Sequence, residues 1–168
     1  KPRKSKPMKF HLLTALILSF CSLPAKDKIL DDLLNYEPVT WKSPREGTFN
    51  YRYCAPAKIK KNAKYPLLVF FHGAGGRGDD NSRQLVDAGG IKAFEKEGLR
   101  TKRQSYLFAG QVPKGERWVD VHWSLLGHRM PKVPSDSMRM ALEALDAFVS
   151  DKKNQVDHNR IYVMGLSM

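Results

Sequence analysis

The sequence predicts an α/β domain with a mostly parallel sheet covered by helices on both faces. Three observations carry this. Leu67 to Phe71 ("LLVFF") is a continuous apolar run bounded by Pro66 and Gly73, as a strand buried on both faces requires. Ser135 to Ser150 sets Met138, Leu142, Leu145, Phe148 and Val149 at helical spacing, with Ser135 or Ser137 free to cap the start after Pro134. A turn at Asp157 to Arg160 then leads into Ile161 to Met164, which reads as a second buried strand. Strands that alternate with helices form parallel sheets flanked by helical layers.

The other elements follow the same rules. Thr48 to Cys54 ("TFNYRYC") alternates and is rich in aromatics, the pattern of an antiparallel or edge strand, and Ala55-Pro56 closes it. Ser105 to Ala109 is a third strand candidate. Ser82 to Glu97 reads as helix broken at Gly89-Gly90, and Ile29, Leu30, Leu33 and Leu34 suggest a short amphipathic helix.

Composition sets the class. With 168 residues, 42% apolar and 27% charged, the chain can bury one real core and is neither disordered nor fibrous. No repeat of solenoid length is visible, and no apolar run is long enough for a stable membrane span. Met8 opens a leader-like stretch. Lys9 and His11 precede the apolar run Leu12 to Cys21, and small Ala25 follows, so residues 8–25 read as a secretory signal peptide cleaved after Ala25. Residues 1–7 are then an upstream extension, and residues 26–168 the mature part, secreted or periplasmic. Lipidation at Cys21 is the competing export signal, but Phe20 is bulky where a small residue is expected.

The net charge of +12 shrinks once the leader is set aside. Five basic residues and no acids precede Ala25, which leaves 24 against 17, or +7, for residues 26–168. These charges are scattered, apart from "KIKKNAK" at 58–64. Nucleic-acid binding calls for a clustered basic face with interleaved aromatics, so nucleic acid is not an expected partner. Cys54 is the one cysteine of the mature part, so no disulfide can form within it.

Two stretches can carry chemistry. The first is "IYVMGLSM", 161–168. Gly-x-Ser alone is a common coincidence, but here Ser167 comes directly after a strand that follows a helix and turn. In a nucleophile elbow the serine rides a sharp turn at the end of a buried strand, which demands small flanking residues; Gly165 meets one side of that demand. The second is "HGAGGRGDDN", 72–81. Its glycines match G-x-G-x-x-G, but a dinucleotide site wants a helix beginning within them and an acid at the next strand end. The glycines run instead into the turn Asp79-Asp80-Asn81, and no Lys-Ser/Thr follows as a phosphate loop would need.

An oxyanion loop fits better. Acyl transfer puts negative charge on a carbonyl oxygen, and backbone N–H groups aimed at it stabilise that charge. The Ala74 N–H, with Gly75, would be one donor and Met168, after the nucleophile, the other. His72 and Gly73 read as loop supports. Asp79 and Asp80 read as solvated turn acids, so no metal is expected. "ERWVDVHWS" at 116–124 offers Trp118 and Trp123 either as grips for an aromatic or sugar ring or as packing anchors.

The stretches "YPLLVFFHGAGGRGDDN", "GQVPKGERWVDVHWS" and "DHNRIYVMGLSM" together resemble the secreted esterase and peptidase-like branch of the α/β-hydrolase superfamily. That branch includes polyhydroxybutyrate depolymerases, feruloyl esterases and phospholipase/carboxylesterase-type proteins. The likeness spans about residues 45–168. It implies a three-layer α/β-hydrolase fold that stops after the nucleophile strand, with 26–168 as its N-terminal part. It implies Ser167 as nucleophile, the Ala74 and Met168 amides as oxyanion hole, and no metal or organic cofactor. The substrate would be a carboxylic ester, free or linked to a polymer or polysaccharide.

The sequence departs from the pattern at Gly76, where an acid is common, and at Gly110, where proline is expected. The acid and base should follow Ser167, so His122, His128 and His158 do not qualify as the base. The fragment is therefore expected to be inactive and to fold poorly. A serine peptidase of the same fold, a non-catalytic carbohydrate-binding scaffold and a nucleotide-dependent oxidoreductase are the rival readings.

Overall fold

The computed structural model describes residues 36–96 and 102–168. The leader-like run at 8–25 and the expected helix at 29–34 lie outside these residues, as does the last residue of the segment expected over Ser82 to Glu97. The elements in order are β1 (Glu37–Lys42), β2 (Thr48–Cys54), β3 (Tyr65–Phe71), α1 (Arg83–Val86), α2 (Gly90–Lys96), β4 (Tyr106–Gln111), α3 (Asp136–Ser150) and β5 (Val156–Gly165). A 3-10 turn, Ala74–Gly76, follows β3, and a second, Asp87–Gly89, joins α1 to α2.

All five strands form one sheet in the order β1-β2-β4-β3-β5. The parallel part is β4-β3-β5. β2 pairs antiparallel with β4 and β1 antiparallel with β2, so the sheet is mixed, with an antiparallel extension on one side. Residue alternation explains the two helical layers. Leu67 and Val69 of β3 and Tyr106 and Phe108 of β4 face the cluster that holds Met140, Ala141, Ala144 and Phe148 of α3. The alternate residues Phe70, Leu107 and Ala109 face Leu85 of α1 and Ile91 and Phe94 of α2. Period two along each strand therefore sends side chains into two cores, and this is why "LLVFF" is apolar throughout.

The α3 layer centres on aromatic rings. Phe148 meets Tyr51, Tyr53, Tyr106 and Phe108 at ring-centroid separations of 6.3, 5.1, 5.9 and 5.7 Å. Ser135 caps the helix, its Oγ accepting the Met138 N–H at 3.1 Å. The face turned inward is Met140, Ala141, Ala144 and Phe148, while Leu142 is exposed. Small alanines there let the helix axis come close to the sheet.

Two readings change at the sheet edges. β1 was not foreseen: Pro38 interrupts its pattern, yet proline is tolerated on an edge strand, where no partner needs its N–H. At the other edge, Asp157 to Arg160 lies within β5. Tyr65 pairs with Val156 and Leu67 with Ile161, so the four residues between them bulge out of the pairing. The bulge is held by Arg160 Nε donating to Asp157 Oδ2 at 2.7 Å. Ile161, Tyr162 and Val163 are exposed, not buried as the sequence implied, because β5 has a neighbour only on the β3 side among the described residues. Among those residues no helix is long and apolar enough to cross a membrane.

Phe148→Ala removes the ring shared by four aromatic neighbours, and the expected loss of stability is about 3–5 kcal/mol. Urea unfolding of the two proteins measures it.

Candidate active site

Ser167 lies just beyond the carboxyl end of β5. The Leu166 N–H donates to Phe71 O at 3.0 Å, carrying the β3–β5 pairing one step past the strand. The chain then reverses: Ser167 has φ of 59°, and the Met168 N–H donates to Leu166 O at 2.7 Å. This is a γ-turn centred on a non-glycine residue in the left-handed region, a strained geometry that persists only where neighbours hold it. Ser167 is exposed, and its hydroxyl has no hydrogen-bond partner among the described residues. Met168 is half-buried and packs against the aromatic core. A Cβ on Gly165 would meet nothing within 4 Å, so the described residues do not themselves impose the smallness expected there.

The glycine loop leaves the neighbouring strand at the same edge. A Cβ on Gly73 would lie 3.4 Å from Ser167 Cβ, 3.3 Å from Leu166 O and 3.0 Å from Asp87 Oδ2. Position 73 is thus the contact between loop and elbow, and it has no room for a side chain that must also pass Asp87. Gly75 has the same neighbour, since its Cβ would fall 2.4 Å from Asp87 Oδ1. Asp87 Oδ2 is buried without a hydrogen-bond partner among the described residues. Gly73 to Gly76 closes as a 3-10 turn, with Gly76 N–H donating to Gly73 O at 3.1 Å. The Ala74 and Gly75 N–H groups, at the start of that turn, have no acceptor among the described residues.

His72 supports this loop from below. It is fully buried, and its Nε2 accepts the Val112 N–H at 3.0 Å. The proton therefore sits on Nδ1, which donates to Gly73 O at 2.6 Å. Both ring nitrogens are engaged with backbone, so neither is left to take a proton from Ser167. Burial lowers the His72 pKa, outweighing the opposing pull of the Gly73 carbonyl and the Asp87 charge. A Cβ at position 76 would press to 2.6 Å from His72 Cγ and Nδ1, so the imidazole occupies the space that a side chain there would need. At Gly110 the obstacle is Phe49, whose Cζ would lie 2.5 Å from an added Cβ.

A polar clamp that the sequence reading missed fixes the far end of the loop. Buried Gln111 donates from Nε2 to Gly76 O at 3.2 Å and to Asp80 Oδ1 at 2.8 Å. Its Oε1 accepts the Asn81 N–H at 2.7 Å. Asn81 has φ of 48°, which asparagine tolerates better than most residues, and its Nδ2 reaches Val39 O and Tyr51 O. Burial alone would raise the Asp80 pKa. Hydrogen bonds from Gln111 and from the Arg83 and Ser82 amides overcome it and hold the carboxyl at about 2. Asp80 is thus part of the loop's framework, and Asp79 is simply exposed. Among the described residues no group of three or more side chains is arranged to hold a metal. The glycines start no α-helix either, because α1 begins only at Arg83 and is a single turn.

The two tryptophans separate. Trp118 is 2% exposed; its ring packs on Phe49, Phe71 and His72, and its Nε1–H donates to His72 O at 2.9 Å. A substrate contact for Trp118 is therefore corrected to a packing anchor beneath the loop, because no face of the ring reaches solvent. Ser135 Oγ donates to Trp118 O at 2.8 Å, joining this anchor to the start of α3. Trp123 is 48% exposed. His122 Nδ1 lies 2.7 Å from Ser124 Oγ, and none of the described histidines hydrogen-bonds to Ser167. In the sequence Gln111 was hidden at the end of an apolar strand; its amide in an otherwise apolar run was the available signal.

At pH 6.5 the His72 ring should stay neutral in the Nδ1–H form, while an exposed histidine would be half protonated; nitrogen-15 NMR of the ring distinguishes the two. Asp80 has a folded pKa below its ordinary 3.8, so its stabilisation is full above that value and fades as pH falls towards about 2. The stability difference between the wild type and Asp80→Asn should therefore narrow over that acid range, as urea unfolding at several pH values would reveal.

No protein-family model matches the chain, and no curated protein matches it significantly. Among solved structures, a thermostable esterase superposes on 80% of this chain with TM-score 0.67 and 26% identity. An acylaminoacyl peptidase from Pyrococcus horikoshii aligns over 85% of the chain with TM-score 0.45 and 18% identity. The chain spans 35% of the length of the esterase and 21% of that of the peptidase. The five-stranded mixed sheet, its two helical layers and the esterase likeness identify the architecture as the α/β-hydrolase fold.

Proposed function

We propose that the protein is a serine hydrolase that cleaves carboxylic esters through an acyl-enzyme, with Ser167 as the nucleophile. The observation that carries this reading is the meeting of two turns at the ends of the parallel strands β3 and β5. A strained, exposed Ser167 lies against Gly73, and the next two loop amides have no acceptor among the described residues. In the reaction Ser167 Oγ attacks the ester carbonyl carbon and gives up its proton to a base. The Ala74 and Gly75 N–H groups receive the developing oxyanion. The alcohol then leaves, and water releases the acyl group. The Met168 N–H must first leave Leu166 O to join them. The base and its acid come from residues other than those described, since His72 is saturated and no other described histidine bonds to Ser167.

The similarity to a thermostable esterase supports ester chemistry over peptide cleavage. The carbohydrate-binding scaffold loses half of its motivation with Trp118 buried. Export is part of the proposal and rests on residues 8–25 alone.

With para-nitrophenyl acetate or butyrate, full-length protein should show ester hydrolysis that Ser167→Ala lowers by at least about 10³-fold. Equal rates for the two proteins would remove Ser167 from the mechanism.

A further inference from the structure

Beside the glycine loop lie two cations and an exposed ring that the proposed chemistry does not use. The Arg77 and Arg117 guanidinium carbons stand 5.5 and 5.2 Å from the Trp123 ring centroid. Among the described residues neither arginine has a carboxylate partner. Each is tied to backbone carbonyls instead: Arg77 through Nε to Ala74 O at 3.0 Å and more weakly through an Nη to Glu116 O at 3.4 Å, Arg117 to Val121 O. These bonds use part of each guanidinium fork and leave its other N–H groups without an acceptor among the described residues. A depression of about 250 Å³ lined by Arg117, His122, Trp123 and Ser124 opens at this point.

The arrangement has the features of a preorganised anion site. A guanidinium attracted to an indole face by cation–π interaction keeps N–H donors for a further partner. Parallel N–H donors of this kind match a carboxylate in a bidentate pair. The location also ties it to the candidate active site. Arg77 is bonded to the carbonyl of Ala74, whose N–H is the proposed oxyanion donor, and a Cβ on the preceding Gly73 would lie 3.4 Å from Ser167 Cβ. An anionic group bound here would belong to the same molecule whose ester lies at Ser167.

We propose that Arg77 and Arg117, both over the Trp123 ring, form a subsite for an ionised carboxyl group, so that the preferred substrates are esters carrying a second, free carboxylate. This rests on the esterase reading above. An entering carboxylate is attracted by both cations, and a neutral ester of equal length gains nothing there. The preference weakens as salt rises, because the pairing lies at the surface.

The test uses the full-length protein and mono-para-nitrophenyl esters of dicarboxylic acids, from adipate to longer chains. Each is set against the ester of the monocarboxylic acid of equal length. The ratio of kcat/KM for anionic over neutral ester is the readout, since general damage to the site lowers both and cancels. At the best chain length the wild type should favour the anionic ester by roughly tenfold. Arg117→Gln and Arg77→Gln should each bring the ratio down several-fold, as should added salt. A wild-type ratio near one at every length, or a preference untouched by both substitutions, overturns the proposal. If no ester is cleaved, the hydrolase reading fails separately, and calorimetry decides the subsite alone. Monomethyl adipate binding that is lost in Arg117→Gln sustains it, and equal binding of monomethyl and dimethyl adipate refutes it.

Discussion

Parallel strands deliver their carboxyl ends to one edge of a sheet, and in this protein the turns that leave neighbouring strands there lie so close that a Cβ on Gly73 would reach Leu166 O and Ser167 Cβ. The hydrogen bond from Leu166 N–H to Phe71 O fixes the exit of β5 against the exit of β3. The absence of a side chain at Gly73 then lets the glycine loop close on Ser167. Everything proposed for the site depends on that close approach. It brings a hydroxyl and two amides that have no acceptor among the described residues, from segments about ninety residues apart, into one small volume. It also accounts for the positive φ of Ser167, which is tolerated because backbone on both sides is already committed.

The rest of the described structure reads as support for this edge. His72 fills the space under Gly76, bonds Gly73 O from one nitrogen and holds Val112 with the other. Trp118 lies beneath His72 and is joined through Ser135 to the start of α3. Gln111, at the end of β4, pins the other end of the loop through Gly76 and Asp80. A buried neutral imidazole, an indole and an amide thus carry the positional information, each with its polar atoms largely satisfied, as a rigid low-dielectric support requires.

Much of this was legible in the sequence where a single period or cap dominates. β2 runs over the predicted Thr48–Cys54, and the long helix follows Ser135, one of the two capping serines named. "HGAGG" and "GLS" were assigned to one site by reading each as a turn after a buried strand and by the resemblance. The losses share a cause: they depend on partners distant in sequence. β1 is visible only through its pairing with β2. The exposure of Ile161 to Val163 depends on which strands flank β5, and the roles of Gln111 and Asp87 depend on a loop some thirty residues away or on the other side of a turn. Trp118 and Trp123 are five residues apart in similar text, yet one is core and the other surface. Local pattern cannot separate them, because the sorting is done by Phe49, Phe71 and His72.

The central claim is that Ser167 and the Gly73–Gly75 turn act on one reacting carbonyl. A crystal structure of the full-length protein with phenylboronic acid, which forms a tetrahedral adduct with an activated serine, tests it most directly. Boron should bond to Ser167 Oγ, with one boronate oxygen within hydrogen-bond distance of the Ala74 N–H. Boron on a different residue, or an adduct on Ser167 whose oxygens turn away from the glycine loop, would contradict it.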